Sequence, residues 1–369
     1  MFLIIVLCFL IIVIIIGIIF TVLKFKKSKK EEGVASLLFT TGITLITSST
    51  PATIDKCLDL LCNMTKLNNT VSSTDGFNYP YFVVGVILVG ISIFQYIHIK
   101  KKIYILNING YMHKKIEDFF GNLKMDNFEF KEREIDFVKI YKKLFCYKLN
   151  EEAFMCIKED IEDKVKAFKE ETKNNIKRGY TGIAPIPFIM YAGTFLQREN
   201  IDEYYELDKI SSETYYKLTT HKGVDFQEIK LKTDINSLNK SNTELVVAIS
   251  LTQKITDSDL SQFSNIDKIH IGIDDLKDNA IRSKEILNEY KNFIFDNIEK
   301  LLKEFPYLKT IHLVYAGQSC LALEMGKRSF DSTRLPEIII YQYEGQSNKK
   351  YPWGIIINGQ KKGDLVKAE

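Results

Sequence analysis

Residues 311–328 read IHLVYAGQSCLALEMGKR. Ile311, Leu313, Val314 and Tyr315 form a β-prone apolar run, Ala316 and Gly317 break it, and an amphipathic helical pattern ending in Lys327 and Arg328 follows. A strand that feeds a helix through a small-residue turn is the building unit of layered α/β folds, whose ligands sit beyond the carboxyl ends of the strands. The stretch therefore predicts an α/β layer with a largely parallel sheet. Its turn is the first place to look for a site.

Working outward, TELVVAISLT (243–252), KIHIGI (268–273), EIIIYQYEG (337–345) and PWGIIING (352–359) read as further strands. Between them, Ile286, Leu287, Tyr290, Phe293, Ile294, Ile298, Leu301 and Leu302 mark one apolar face of a long helix. A second strand-turn-helix unit is expected over 183–196, where two prolines shape the turn in GIAPIPFIMYAGTFL (182–196). Two such units facing each other bring two helix N-termini, with their free N–H groups, around one cavity suited to phosphates. Upstream, KIYILNI (102–108) reads as a short strand. The segments 132–147 and 150–177 carry apolar residues at helical intervals, so 103–175 is expected to be a helical connector.

The N-terminal hundred residues have a different character. Residues 2–23 carry no charge, and at ~1.5 Å per residue they extend ~33 Å, enough to cross a hydrocarbon core. No basic residue precedes this run and no small-residue cleavage site follows it, which argues against a secretory signal. A second apolar span, 81–99, is flanked by Tyr79, Tyr81 and Tyr96 and followed by Lys100, Lys101 and Lys102. Lysines also close the first span, so both of these flanks are expected in the cytoplasm. Something between them must cross back, and 33–50 is the candidate. The reading is a region 1–102 of three spans, about 2–23, 33–50 and 81–99, with an outer N-terminus. Ser36, Thr40, Thr44 and Thr47 recur on one stripe of the middle span, with Thr41 and Ser48 nearby. Such a stripe either packs helix against helix or lines water.

The net charge of +3, with no long basic block beyond the juxtamembrane lysines, does not suggest duplex nucleic-acid binding. The six cysteines show neither CxxC nor zinc spacing; Cys57 and Cys62, in the expected outer loop, are candidates for a pair. GxGxxG, P-loop, GxSxG and HExxH motifs are absent from the soluble region. Asp225, Glu228 and Lys230 loosely resemble a metal-dependent nuclease cluster, and Cys320 is a conceivable thiol nucleophile. His270 and His312 lie within β-like runs, which favours sheet positions. No metal, cofactor or catalytic residue is assigned, and the chain is read as a non-enzyme.

Taken together, GIAPIPFIMYAG, VVAISLTQKI, IHLVYAGQSCLALEMGKR and EIIIYQYEGQSNKKYPWGIII resemble the SAVED domain, the sensor fused to diverse effectors in cyclic-oligonucleotide anti-phage signalling (CBASS). The resemblance covers 176–358 and places the sensor domain at 176–369. A proline often found at the Gln318 position is missing. With membrane helices attached, the chain is similar to TM-SAVED effectors. The resemblance implies two fused CARF-like, Rossmann-like halves sharing one pocket. It also implies binding of a cyclic di- or trinucleotide from a partner CD-NTase synthase and ligand-driven homo-oligomerisation. A cyclic oligonucleotide needs N–H donors for phosphates, amides or hydroxyls for base edges, and rings for stacking. Thr252, Gln253, Gln318 and Ser319 are the polar candidates. Phe188, Tyr343 and Trp353 are the rings, while Pro185, Pro187, Ala316 and Gly317 shape the two turns.

The expectation is a multi-pass effector of the bacterial inner membrane, its sensor in the cytoplasm, that assembles on ligand and permeabilises the bilayer. Ser36, Thr40, Thr44 and Thr47 form the candidate pore face. A membrane-anchored nuclease or ring nuclease, and a receptor that only recruits a partner, are the alternatives.

Overall fold

The computed structural model describes residues 30–49, 77–119, 130–146, 150–173, 176–208, 213–221, 226–329 and 335–367, together with Ile19, Thr21, Leu123 and Gly223. The chain divides into two compact units, Met1–Lys102 and Ile103–Glu369.

In the first unit, α1 (Lys30–Ser48) and α2 (Tyr79–Lys101) form an antiparallel hairpin. Asn78 caps α2 by accepting from Tyr81 N, and Pro80 occupies the first turn, where a missing N–H does no harm. The helices touch through glycines. A Cβ on Gly42 would stand 2.8 Å from Gly85 O, and one on Gly85 would stand 2.7 Å from Gly42 O. Ser92 Oγ ties the hairpin further by donating to Ala35 O at 2.7 Å. Among the described residues one helical stretch, Tyr79–Ile97, is long and apolar enough to cross a membrane; the apolar part of α1, Gly33–Ser48, is shorter. At ~1.5 Å per residue that part reaches ~24 Å. The expected first span lies outside the described residues apart from Ile19 and Thr21, and Cys57 and Cys62 lie wholly outside them.

The second unit holds two sheets. The first has the order β2 (Phe130–Asp136), β1 (Ile103–Asn109), β3 (Lys177–Ile183), β4 (Glu203–Leu207), β5 (Tyr215–Lys217), parallel except for β5. The second runs β12 (Leu365–Lys367), β11 (Trp353–Ile356), β10 (Glu337–Gln342), β9 (Thr310–Ala316), β7 (Glu244–Ser250), β8 (Lys268–Gly272), β6 (Lys230–Leu231). Its centre, β10-β9-β7-β8, is parallel, and antiparallel strands close both ends. The hydrophobic runs near 245, 270, 313 and 339 are these central strands, apolar throughout because helices or loops cover both faces.

The segment 103–175 is not a helical connector. It supplies β1 and β2, then α3 (Val138–Cys146) and α4 (Glu151–Glu171), so it is one side of the first α/β half. The expected helix over 132–147 begins as strand β2. Its acidic residues hid this: Glu132 and Glu134 accept from the Nδ2 atoms of Asn107 and Asn109 on β1, pairings a sequence pattern does not reveal. The helix at 151–171 forms as its periodicity requires. Asn150 caps it, and Phe154, Ile157, Ile161, Val165 and Phe168 are buried in the main core rather than left on a solvated strut.

Candidate functional site: a cavity where two strand-turn-helix units meet

β3 leads through Ala184 and Pro185 into α5 (Ile186–Gly193), and β9 leads through Gly317 and Gln318 into α7 (Ser319–Ser329). Between them α6 (Lys284–Glu304) covers the second sheet, and Ser283 Oγ caps it by accepting from Ile286 N. Each short helix packs on the other half: α5 against β10 and β11, α7 against β3 and β4. α5 and α7 meet backbone to backbone. A Cβ on Gly193 would lie 2.3 Å from Leu323 O, and one on Gly326 would lie 1.9 Å from Met190 O. Glycine is needed at both positions for this approach, which brings the two turns together.

At the meeting point lies a cavity of about 450 Å³, reached by Ile183, Ala184 and Ile186 from one unit and by Ala316, Gly317, Gln318 and Ser319 from the other. Thr252, Gln253 and Lys254 after β7 add to its wall, as do Tyr111, Tyr343 and Tyr351. Of the residues singled out from sequence, Thr252, Gln253, Ala316, Gly317, Gln318, Ser319 and Tyr343 come together here. Tyr343 is 45% exposed, and its ring meets Tyr351 edge-on at 5.6 Å.

Phe188 is not a stacking ring. It is 0% exposed and sits among Phe137, Tyr141, Phe154 and Trp353, because its α5 position turns it into the core. Trp353 is likewise buried, its Nε1 donating to Glu344 Oε1 at 2.7 Å. Pro185 and Pro187 are buried structural residues; Pro185 is the N-cap of α5 and does not line the cavity.

The helix N-termini are also less open than expected. Glu206, buried near the end of β4, accepts from Ser319 Oγ at 2.9 Å and from Cys320 N at 2.7 Å, so it caps α7 from the other half of the domain. Gln318 is spent on structure. Its Oε1 accepts from Ile281 N, and its Nε2 donates to Tyr216 Oη at 2.8 Å and Ile281 O at 2.9 Å. Tyr315 folds over the turn and donates to Gln318 O. Cys320 is fully buried, and burial followed by the adjacent Glu206 pushes its thiol well above the ordinary range. It is not an activated nucleophile. His312, on β9, bridges Tyr341 Oη and Glu244 inside the sheet, and His270 pairs with Asp257. Asp225 lies outside the described residues, while Lys230 pairs with Asp274 at 2.7 Å.

Glu206, Tyr111 and Gln342 are among the wall residues that escaped the sequence reading. Each acts on a partner far away in the chain, which a local sequence pattern does not reveal. Gln342 Nε2 donates to Tyr111 Oη across 231 positions.

A family model described as "SMODS-associated and fused to various effectors sensor domain", SAVED, matches residues 161–357, more than half of the chain. The chain belongs to the SAVED family. Similar solved structures include an Acinetobacter baumannii Cap4 SAVED/CARF-domain containing receptor with the cyclic trinucleotide 2'3'3'-cAAA. It is 11% identical, with a TM-score of 0.45 over 86% of this chain and 76% of that one. The same receptor with 3'3'3'-cAAA gives a TM-score of 0.44 at 12% identity, over 86% and 76% of the two chains. A Moraxella osloensis Cap4 receptor gives 0.39 at 13% identity, over 66% of this chain and 47% of that one. No curated protein matches the sequence. The SAVED match begins at 161, inside α4, upstream of the boundary at 176 expected from sequence.

Proposed function

We propose that this SAVED protein is a membrane effector of CBASS-type defence whose sensor domain binds a cyclic di- or trinucleotide, self-associates and permeabilises the membrane. It carries no enzymatic step of its own. The observation that supports this reading is the cavity at the two strand-turn-helix ends, within a SAVED sensor domain and large enough to admit part of a cyclic oligonucleotide. Tyr343 and Tyr111, both partly exposed, offer faces for bases, and Lys254 offers the ammonium on the wall for a phosphate. Ligand can drive assembly only if it favours the assembled state over the resting one, so binding and association must be coupled.

The test is calorimetric titration of the full chain in mild detergent with a panel of cyclic di- and trinucleotides, followed by sedimentation and liposome leakage. The expected result is that one ring binds, enlarges the particle and triggers leakage, and that Tyr343→Ala weakens binding by roughly tenfold or more. No binding across the panel overturns the sensor reading. Binding without leakage leaves a recruitment receptor, and metal-dependent cleavage lost in Glu228→Ala would make the protein a nuclease.

A further inference from the structure

Gln342 is the last residue of β10, lines the cavity and is 7% exposed. Its Nε2 donates to Tyr111 Oη at 3.0 Å and to Tyr343 O at 2.8 Å, which uses both amide hydrogens. The amide cannot be turned round: Tyr343 O only accepts, and reversal would set two carbonyl oxygens 2.8 Å apart. Gln342 Oε1 is therefore fixed as an acceptor, and it is buried without a hydrogen-bond partner. A buried acceptor left unpaired costs stability, which a ligand N–H would restore.

Elsewhere on the wall several groups are already paired within the protein. Donors on Gln318, Ser319 and Tyr315 are already committed to protein acceptors. The charged wall residues are Glu206, Asp259, Asp278 and Lys254, and Glu206 and Asp259 already accept from Ser319, Cys320 and Thr256. At Gln342 a ligand meets an unpaired acceptor and has to bring a donor.

Resting on the ligand reading above, we infer that Gln342 Oε1 is a specificity element that accepts the exocyclic amine of a base. The messenger then carries adenine, cytosine or guanine, the bases with an exocyclic amine, at this position. Bases with an oxo group in the same place, hypoxanthine or uracil, would set a carbonyl oxygen against Oε1 and leave both acceptors unpaired. The hydrogen-bonded neighbours hold the amide in place, so the discrimination is built in before ligand arrives. Tyr111 keeps its proton throughout the physiological range, because burial, offset in part by its bond to Gln342, pushes its hydroxyl up to about 12.

The test compares cyclic oligonucleotides differing only in that group, adenine against hypoxanthine and cytosine against uracil, titrated into the detergent-solubilised full chain. The amino ring is expected to bind at least roughly tenfold more tightly than its oxo counterpart. In Gln342→Met the ratio falls below about threefold, whereas Tyr111→Phe, which leaves the oxygen in place, keeps it. Equal binding of amino and oxo rings by the unaltered protein, or an unchanged ratio in a folded Gln342→Met, overturns the inference. Should Gln342→Met fail to fold, the amino-to-oxo ratio of the unaltered protein decides alone. If no ring of either kind binds, the sensor reading itself fails and this inference falls with it.

Discussion

Glu206 on β4 accepts a hydrogen bond from Ser319 Oγ at 2.9 Å although 113 positions separate them in the chain. The same carboxyl oxygen takes Cys320 N, so one half of the domain caps the cavity helix of the other. Glu206→Gln, which keeps the shape but removes the formal charge at the α7 N-terminus, is expected to cost about 1 kcal/mol. Glu206→Ala leaves two buried donors unpaired and should cost about 1–3 kcal/mol beyond that. Denaturant midpoints of the full chain in detergent measure both. An unchanged midpoint for Glu206→Ala would show that the cap contributes nothing.

The Gly326 contact makes a sharper prediction. An alanine Cβ there would meet Met190 O at 1.9 Å and Met190 C at 2.8 Å, both backbone atoms that cannot turn aside. Gly326→Ala should therefore destabilise by roughly 3 kcal/mol or more as α5 and α7 are forced apart. Gly90→Ala, whose Cβ meets nothing within 4 Å, serves as the control and should leave the midpoint in place.

Buried Glu324 is the acid-sensitive point of α7. Burial pushes its carboxyl up, but Lys327 and Lys291, with a hydrogen bond from Tyr204, outweigh that and hold it below its ordinary 4.5. A carboxyl depressed in the folded state stabilises fully above the unfolded value of 4.5, and the gain is lost as the pH falls through the lower folded value. Midpoints measured from pH 6 downward should fall below about pH 4.5. Glu324→Gln should flatten that fall and cost about 3 kcal/mol at neutral pH, because it removes the buried carboxylate charge from beside Lys291 and Lys327.

The Thr/Ser stripe of α1 bears on the membrane proposal. Thr40, Thr44 and Thr47 each donate at 2.8 Å to a carbonyl of their own helix, at Ser36, Thr40 and Thr44. Their hydroxyl hydrogens are thereby spent, and a water-lining role would use their lone pairs. Replacing Thr40, Thr44 and Thr47 together with leucine is expected to abolish ligand-triggered leakage from liposomes while leaving ligand affinity unchanged. Leakage equal to that of the unaltered protein would assign the stripe to helix packing.

Legibility followed burial. The strands at 245, 270, 313 and 339 could be read because parallel strands covered on both faces need continuous apolar runs, and α4 and α6 because one face of each is apolar at helical spacing. β2 could not, because its acidic side chains are satisfied by Asn107 and Asn109 on a neighbouring strand, and the pattern left behind mimics a helix. The turn at 316–319 was found from its small residues. The burial of Phe188 and the commitment of Gln318 to Ile281 and Tyr216 were not, since both depend on which element lies opposite.

The sequence by itself determined the α/β class, the two strand-turn-helix units and the contrast between an apolar N-terminal region and a folded remainder, because periodicity and composition record which faces avoid water. Only the tertiary structure decided that each cavity helix packs on the opposite half, that Glu206 closes α7, and that Gln342 presents an unpaired oxygen. Those facts belong to pairs of residues brought together by folding, and pairing between distant positions leaves no periodic trace in a single chain.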